Sequence, residues 1–144
     1  MIVPQEIYHP LYTDTEKFII LITGGRGSGK SFNASTFIER LTFEMTPVEK
    51  IVHQILYTRY TMVSAGVSII PEMMEKIDLD GTTKYFKTTK TDIVNKMTKS
   101  RIMFRGIKTS SGNQTAKLKS IQGITTFVCD EAEEWTNEEE FDKI

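Results

Sequence analysis

The chain has 144 residues, is 39% hydrophobic and 26% charged, and carries a formal net charge of −1. That balance suits one soluble globular domain and excludes a long disordered chain. The single cysteine, Cys129, excludes an internal disulfide and fits a reducing compartment. The first residues, MIVPQEIYHPLYTDTEK, lack the basic start and apolar run of a signal peptide, and no apolar stretch is long enough to span a bilayer.

In chain order, Phe18-Ile19-Ile20-Leu21-Ile22 stops at Thr23-Gly24-Gly25 and predicts a buried parallel strand over 18–23 that ends in a tight turn. Phe32, Phe37, Ile38, Leu41 and Met45 recur at helical spacing from Lys30, and Pro47 stops that helix. Residues 51–58 predict a second buried strand, and a helix is expected within 61–77, with Gly66 and Pro71 blurring its limits. Residues 83–106 predict two or three short strands, some antiparallel, separated by Thr- and Lys-rich turns. A polar loop over 108–120 leads to a third buried strand, 124–129, in which Cys129 reads as a small core residue. Trp135 is expected to pack a last helix, capped by Asn137 with Glu138, Glu139 and Glu140 in its first turn, against the sheet. Strands alternating with helices imply an α/β fold with a mainly parallel sheet, flanking helices and an antiparallel β addition at 83–106.

Charge is uneven. Lys84, Lys87, Lys90, Lys96, Lys99, Arg101, Arg105, Lys108, Lys117 and Lys119 face one acid, Asp92. Such a stretch can meet nucleic-acid phosphates or be a set of solvated faces. His9 and His53 are isolated in the sequence, which argues against zinc.

Two motifs carry chemistry. Gly24-Gly25-Arg26-Gly27-Ser28-Gly29-Lys30-Ser31 matches G-x-x-x-x-G-K-[ST], after a predicted strand and at the start of a predicted helix. Glycines let the loop curl so that successive backbone N–H groups meet one phosphate, and the helix start adds its positive dipole end. Lys30 supplies a cation for the β- and γ-phosphates of ATP, and Ser31 offers a hydroxyl to Mg²⁺. The second motif is the run Thr125 to Glu131, an apolar strand tipped by two carboxylates. There Asp130 would hold Mg²⁺ through its water shell, and Glu131 would orient or deprotonate an attacking water.

The loop GGRGSGKS, the segment IMFRG at 102–106 and the run AKLKSIQGITTFVCDEAEEW at 116–135 together resemble phage terminase large subunits. The similarity runs from about residue 17 to 144 and implies the P-loop ATPase fold of that family. It implies an ATP-hydrolysing motor that translocates double-stranded DNA into procapsids, in the cytoplasm of a bacterial host. It also implies a homo-oligomeric ring in the full-length protein, with the small terminase subunit and the portal as partners and no membrane. By the same resemblance Arg26 is similar to a loop arginine that contacts the γ-phosphate, a finger within the chain; a solvated loop arginine is the plain alternative. Arg59 resembles a family position linked to DNA or phosphate sensing, with a surface salt bridge as an equal alternative. Pro4 to Tyr12 falls where the family has its adenine-contacting segment, and Tyr8 and Tyr12 read either as stacking partners or as anchors on the sheet.

The family's coupling motif, linker and acid-rich nuclease domain are not found here, so residues 1–144 read as a partial ATPase domain without nuclease activity, with an incomplete sheet. A fragment, a split gene and an interrupted prophage gene are all compatible. In such ATPases the loop strand and the acidic strand are separated by a later strand, so either an open slot or a direct pairing is expected. Two alternative functions stand beside the motor. One is a helicase-type ATPase, since Asp130-Glu131-Ala132-Glu133 resembles the DEAD-box tetrad. The other is an inactive nucleotide-binding remnant.

Overall fold

The computed structural model describes residues 1–44, 52–61, 69–108 and 121–134. The order is a short 3-10 turn (Glu6–Tyr8), α1 (Pro10–Thr13), α2 (Lys30–Leu41), β1 (Gln54–Thr61), α3 (Ile69–Leu79), β2 (Phe86–Thr88), β3 (Asp92–Asn95), β4 (Arg101–Lys108) and β5 (Thr126–Cys129). A mixed, open sheet runs β2-β3-β4-β1-β5. β1 pairs in parallel with β4, from Gln54 opposite Arg101 to Thr61 opposite Lys108, and with β5, from Ile55 opposite Thr126 to Thr58 opposite Cys129. β3 is antiparallel to both β2 and β4. The fold is thus α/β, with the expected antiparallel addition at one side.

A strand covered on both faces reads as a continuous apolar run, and β1 and β4 do. Ile55, Tyr57, Ile102 and Phe104 face α2 and α3, where Ile38, Ile69, Ile70, Met73 and Ile77 complete the main core. Leu56 and Met103 point to the opposite face, with Ile121 packed against them. In α3, Ile69, Ile70, Met73 and Ile77 fall on one helical face, and Pro71 sits in the first turn, where a missing N–H costs little. Pro71 therefore opens this helix instead of interrupting it.

α2 ends earlier than its periodicity suggests. Thr42, Phe43 and Glu44 donate to carbonyls three residues back, which tightens the last turn. The Thr42 hydroxyl accepts from Asn95 Nδ2 at 3.1 Å, and the Thr42 carbonyl accepts from Thr98 Oγ1 at 2.6 Å. These bonds tie the end of α2 to the turn that leads into β4.

One expected strand is absent. Residues 18–23 form no strand, and Phe18, Ile19, Ile20 and Leu21 are 99%, 80%, 47% and 82% exposed. A strand needs a neighbouring ladder for its N–H and C=O groups, and the described residues offer none beside this segment: β5 pairs with β1 alone. Among the described residues the loop segment and the acidic strand do not pair. Among the described residues β5 is an edge strand and is less buried than expected, with Phe127 37% exposed and Cys129 only partly covered, and Ile124, before the strand begins, is 38% exposed. The polar loop beyond Lys108, the Pro47 stop, Gly66, Trp135 and the helix at Asn137 lie outside the described residues.

Candidate nucleotide-binding site

The Gly24–Ser31 loop leads directly into α2. Gly29 occupies the capping position in the left-handed region, φ 79°, where a side chain is strained and where an added Cβ would sit 3.2 Å from Asn33 Nδ2. Asn33 is buried and gives both its backbone N–H and its Nδ2 to the Gly29 carbonyl, each at 2.9 Å. No side chain among the described residues caps α2. The N–H groups of its first turn, before Asn33, are therefore left to an outside acceptor. Lys30 Nζ turns back and donates to the carbonyls of Gly24 and Gly25. Ser31 is exposed. Arg26 is exposed as well and makes no hydrogen bond or ion pair with the described residues. Uncapped N–H groups, a lysine on loop carbonyls and an exposed hydroxyl form a donor set suited to a polyphosphate and its metal ion.

The N-terminal arm steadies this loop. Tyr8 is buried, and its hydroxyl donates to the Ser28 carbonyl at 2.8 Å. Tyr12 packs edge-on against Phe37 of α2, with ring centroids 5.5 Å apart, and lies under the Arg40 guanidinium. Both tyrosines are thus anchors, on the loop and α2 instead of the sheet. Asp80 accepts from the Ile2 N–H and pairs with Arg40, which fastens the start of the arm. An open cleft of about 440 Å³ lies between the arm and residues 19–23, with Ile7, Tyr8, Pro10, Leu11 and Leu21 among its walls.

The acidic pair follows β5. The Asp130 N–H continues the ladder by donating to the Thr58 carbonyl at 2.9 Å. Asp130 Oδ2 accepts from Arg59 Nε at 2.7 Å, and Oδ1 accepts from the Glu131 N–H at 3.1 Å. Burial works against the Arg59 charge, yet the hydrogen bond and charge of Asp130 hold its pKa above the ordinary value. Burial, with the Asp130 charge beside it, also pushes up the Tyr57 hydroxyl and the Cys129 thiol. Glu131 is exposed and takes φ 52°, a left-handed conformation that costs a non-glycine residue about 1 kcal/mol or more and gathers at functional sites.

The start of α2 points toward the C-terminal ends of the parallel strands, the ends that Arg59 and Asp130 follow. The C-terminal end of α2 is bonded to residues 95–98, and Ser100 Oγ accepts from the His53 N–H, so Thr42 lies at the starts of β1 and β4. α2 therefore runs antiparallel to β1. Its 12 residues, about 18 Å of rise, carry Lys30 toward the strand ends where Arg59 and Asp130 stand.

Sequence reasoning missed Tyr8 as a loop anchor and Arg59 as the partner of Asp130. Arg59 does form a salt bridge, but a largely covered one, with side chains 21% and 14% exposed. The in-register placing of Thr58 opposite Cys129 is the signal that would have found it, and only strand pairing supplies it. In the basic stretch, Asp92 is engaged by both Arg101 and Arg105. Lys117 and Lys119 lie outside the described residues.

The family model for the phage terminase large subunit matches residues 16–144. A comparison with curated proteins finds no match.

Proposed function

The chain belongs to the phage terminase large subunit family, and from that premise we propose that it is the ATP-binding and ATP-hydrolysing motor segment of a DNA-packaging terminase. The observation that carries the reading is the uncapped, glycine-rich start of α2, which points toward the strand ends that Asp130 and Glu131 follow.

In this proposal Gly24, Gly25, Gly27, Ser28 and Gly29 wrap the polyphosphate with backbone N–H groups. Lys30 leaves the Gly24 and Gly25 carbonyls for the β- and γ-phosphates. Adenine would lie in the cleft between arm and loop segment, whose walls are largely apolar. Mg²⁺, held by Ser31 and by Asp130 through water, would neutralise charge on the phosphates. Glu131 takes a proton from the attacking water as general base. Arg26, exposed on the loop, meets the charge that develops on the γ-phosphate.

Hydrolysis would drive double-stranded DNA, in a homo-oligomeric ring that meets the small terminase subunit and the portal in the bacterial cytoplasm. No described helix is long and apolar enough to cross a membrane.

Lys30→Ala tests the reading, because it removes the cation and leaves the loop backbone free to curl. ATP affinity measured by calorimetry is expected to fall and turnover to vanish. Unchanged affinity overturns the cradle, and a wild-type protein that binds ATP without turnover supports the inactive remnant.

A further inference from the structure

We infer that Arg59 is the resident counter-ion of Asp130: it occupies the carboxylate while no nucleotide is bound and gives way when the metal–nucleotide complex arrives. The inference rests on the nucleotide-binding reading above and adds a positioning residue to it.

The pairing is built into the sheet. β1 and β5 are in parallel register up to Thr58 opposite Cys129, and the Asp130 N–H extends the ladder to the Thr58 carbonyl. The next residue of β1, Arg59, is therefore beside Asp130 by strand geometry. Both Asp130 oxygens are occupied, Oδ2 by Arg59 Nε at 2.7 Å and Oδ1 by the Glu131 N–H at 3.1 Å. The pair is mostly covered, which strengthens its attraction over that of an exposed pair.

A guanidinium cannot give up its proton at any ordinary pH, so this contact ends only by displacement. Mg²⁺ and its water shell need the same carboxylate. Two cations on one carboxylate repel strongly where water is scarce, so metal and Arg59 compete. Arg59 thereby keeps Asp130 aligned, and its charge neutralised, until the site is loaded.

The test is calorimetric ATP binding over a range of Mg²⁺ concentrations, with a metal-free arm in EDTA. Arg59→Gln is expected to need on the order of ten-fold less Mg²⁺, the low end of what removing one adjacent charge does. Its metal-free ATP affinity is expected to stay unchanged. Arg59→Lys, which keeps a cation, is expected to retain the wild-type requirement. A merely structural role would shift melting and leave the Mg²⁺ requirement where it was.

A second readout needs no variant. The Arg59 Nε–H resonance of the wild-type protein is expected to persist with metal-free ATP and to shift or vanish when Mg²⁺ is added. If Arg59→Gln needs as much Mg²⁺ or more, or the resonance survives saturation with Mg²⁺ and ATP, Arg59 is not a competitor and the inference is overturned. If the wild-type protein binds no ATP under any condition, the nucleotide reading falls, and this inference falls with it.

Discussion

Two apolar runs of similar composition meet opposite fates. In β1 and β4, Ile55, Leu56, Ile102 and Phe104 are 0%, 1%, 0% and 1% exposed. Phe18 and Leu21, in an equally apolar run, are 99% and 82% exposed. The difference is the neighbourhood. β1 has a parallel strand on each side and helices over one face, so its backbone groups are paired and its side chains buried. Residues 18–22 join no ladder among the described residues. Apolar patterning states a demand for burial, and topology decides whether it is met. The proposed site straddles both regions: α2 belongs to the packed half, while Asp130 and Glu131 sit at the end of the thin edge strand β5.

The sharpest way to separate the regions is to ask whether the thin edge carries the chemistry. Glu131→Gln keeps size and hydrogen-bonding reach and removes the base. Hydrolysis is expected to drop by about 10²–10⁴ with ATP binding retained. A variant that loses binding, while Asp130→Asn keeps it, reverses the two roles.

Packing gives the next largest contrast. Ile102→Ala opens a cavity in the main core and is expected to cost about 2–5 kcal/mol in denaturant unfolding. Leu21→Ala is expected to stay within about 0.5 kcal/mol, as exposed substitutions do. Equal costs would show that Leu21 is packed in solution.

A smaller effect comes from the packed half itself. Glu39 is fully buried, and its Oε1 accepts from Thr82 Oγ1 at 2.6 Å. Burial raises its pKa from 4.5 to about 7, and the neighbouring Asp80 reinforces this. The folded protein therefore holds the proton more tightly than the unfolded chain. The stability due to this group is full below 4.5 and is lost as pH rises through about 7. The loss is expected to be about 1–3 kcal/mol. Glu39→Gln is expected to flatten that slope between pH 5 and 8 in urea titrations, and an unchanged slope would locate the titration elsewhere. Arg40 holds the Asp80 carboxyl below its ordinary value, so its contribution is present above 3.8 and fades only in stronger acid.

The smallest effect on stability tests the expected open slot. An apolar segment that joins no ladder among the described residues, and an edge strand paired there on one side only, favour association between copies. Sedimentation of residues 1–144 is expected to show concentration-dependent self-association. The double substitution Phe18→Ser and Leu21→Ser is expected to reduce it with little change in melting. A wild-type monomer at all concentrations would mean that the slot is covered within the chain.

The glycine-rich turn before α2, the start of α2 at Lys30, the acidic tip of β5 and the antiparallel addition were legible from residue order, because each depends on local chemistry. A glycine-rich turn, a helical repeat and an apolar run ending in acids need only a few neighbouring residues to declare themselves. Pairing is different. Which strand lies beside β5, whether residues 18–23 join the sheet, and which cation meets Asp130 depend on groups far apart in the chain. Arg59 and Asp130 are brought together by the β1–β5 register, and Tyr8 reaches Ser28 through the folding back of the arm. Sequence by itself determined the chemical vocabulary of the site, since side-chain type and spacing are local properties. Tertiary structure alone decided which groups face each other, because hydrogen bonds and burial are satisfied between segments.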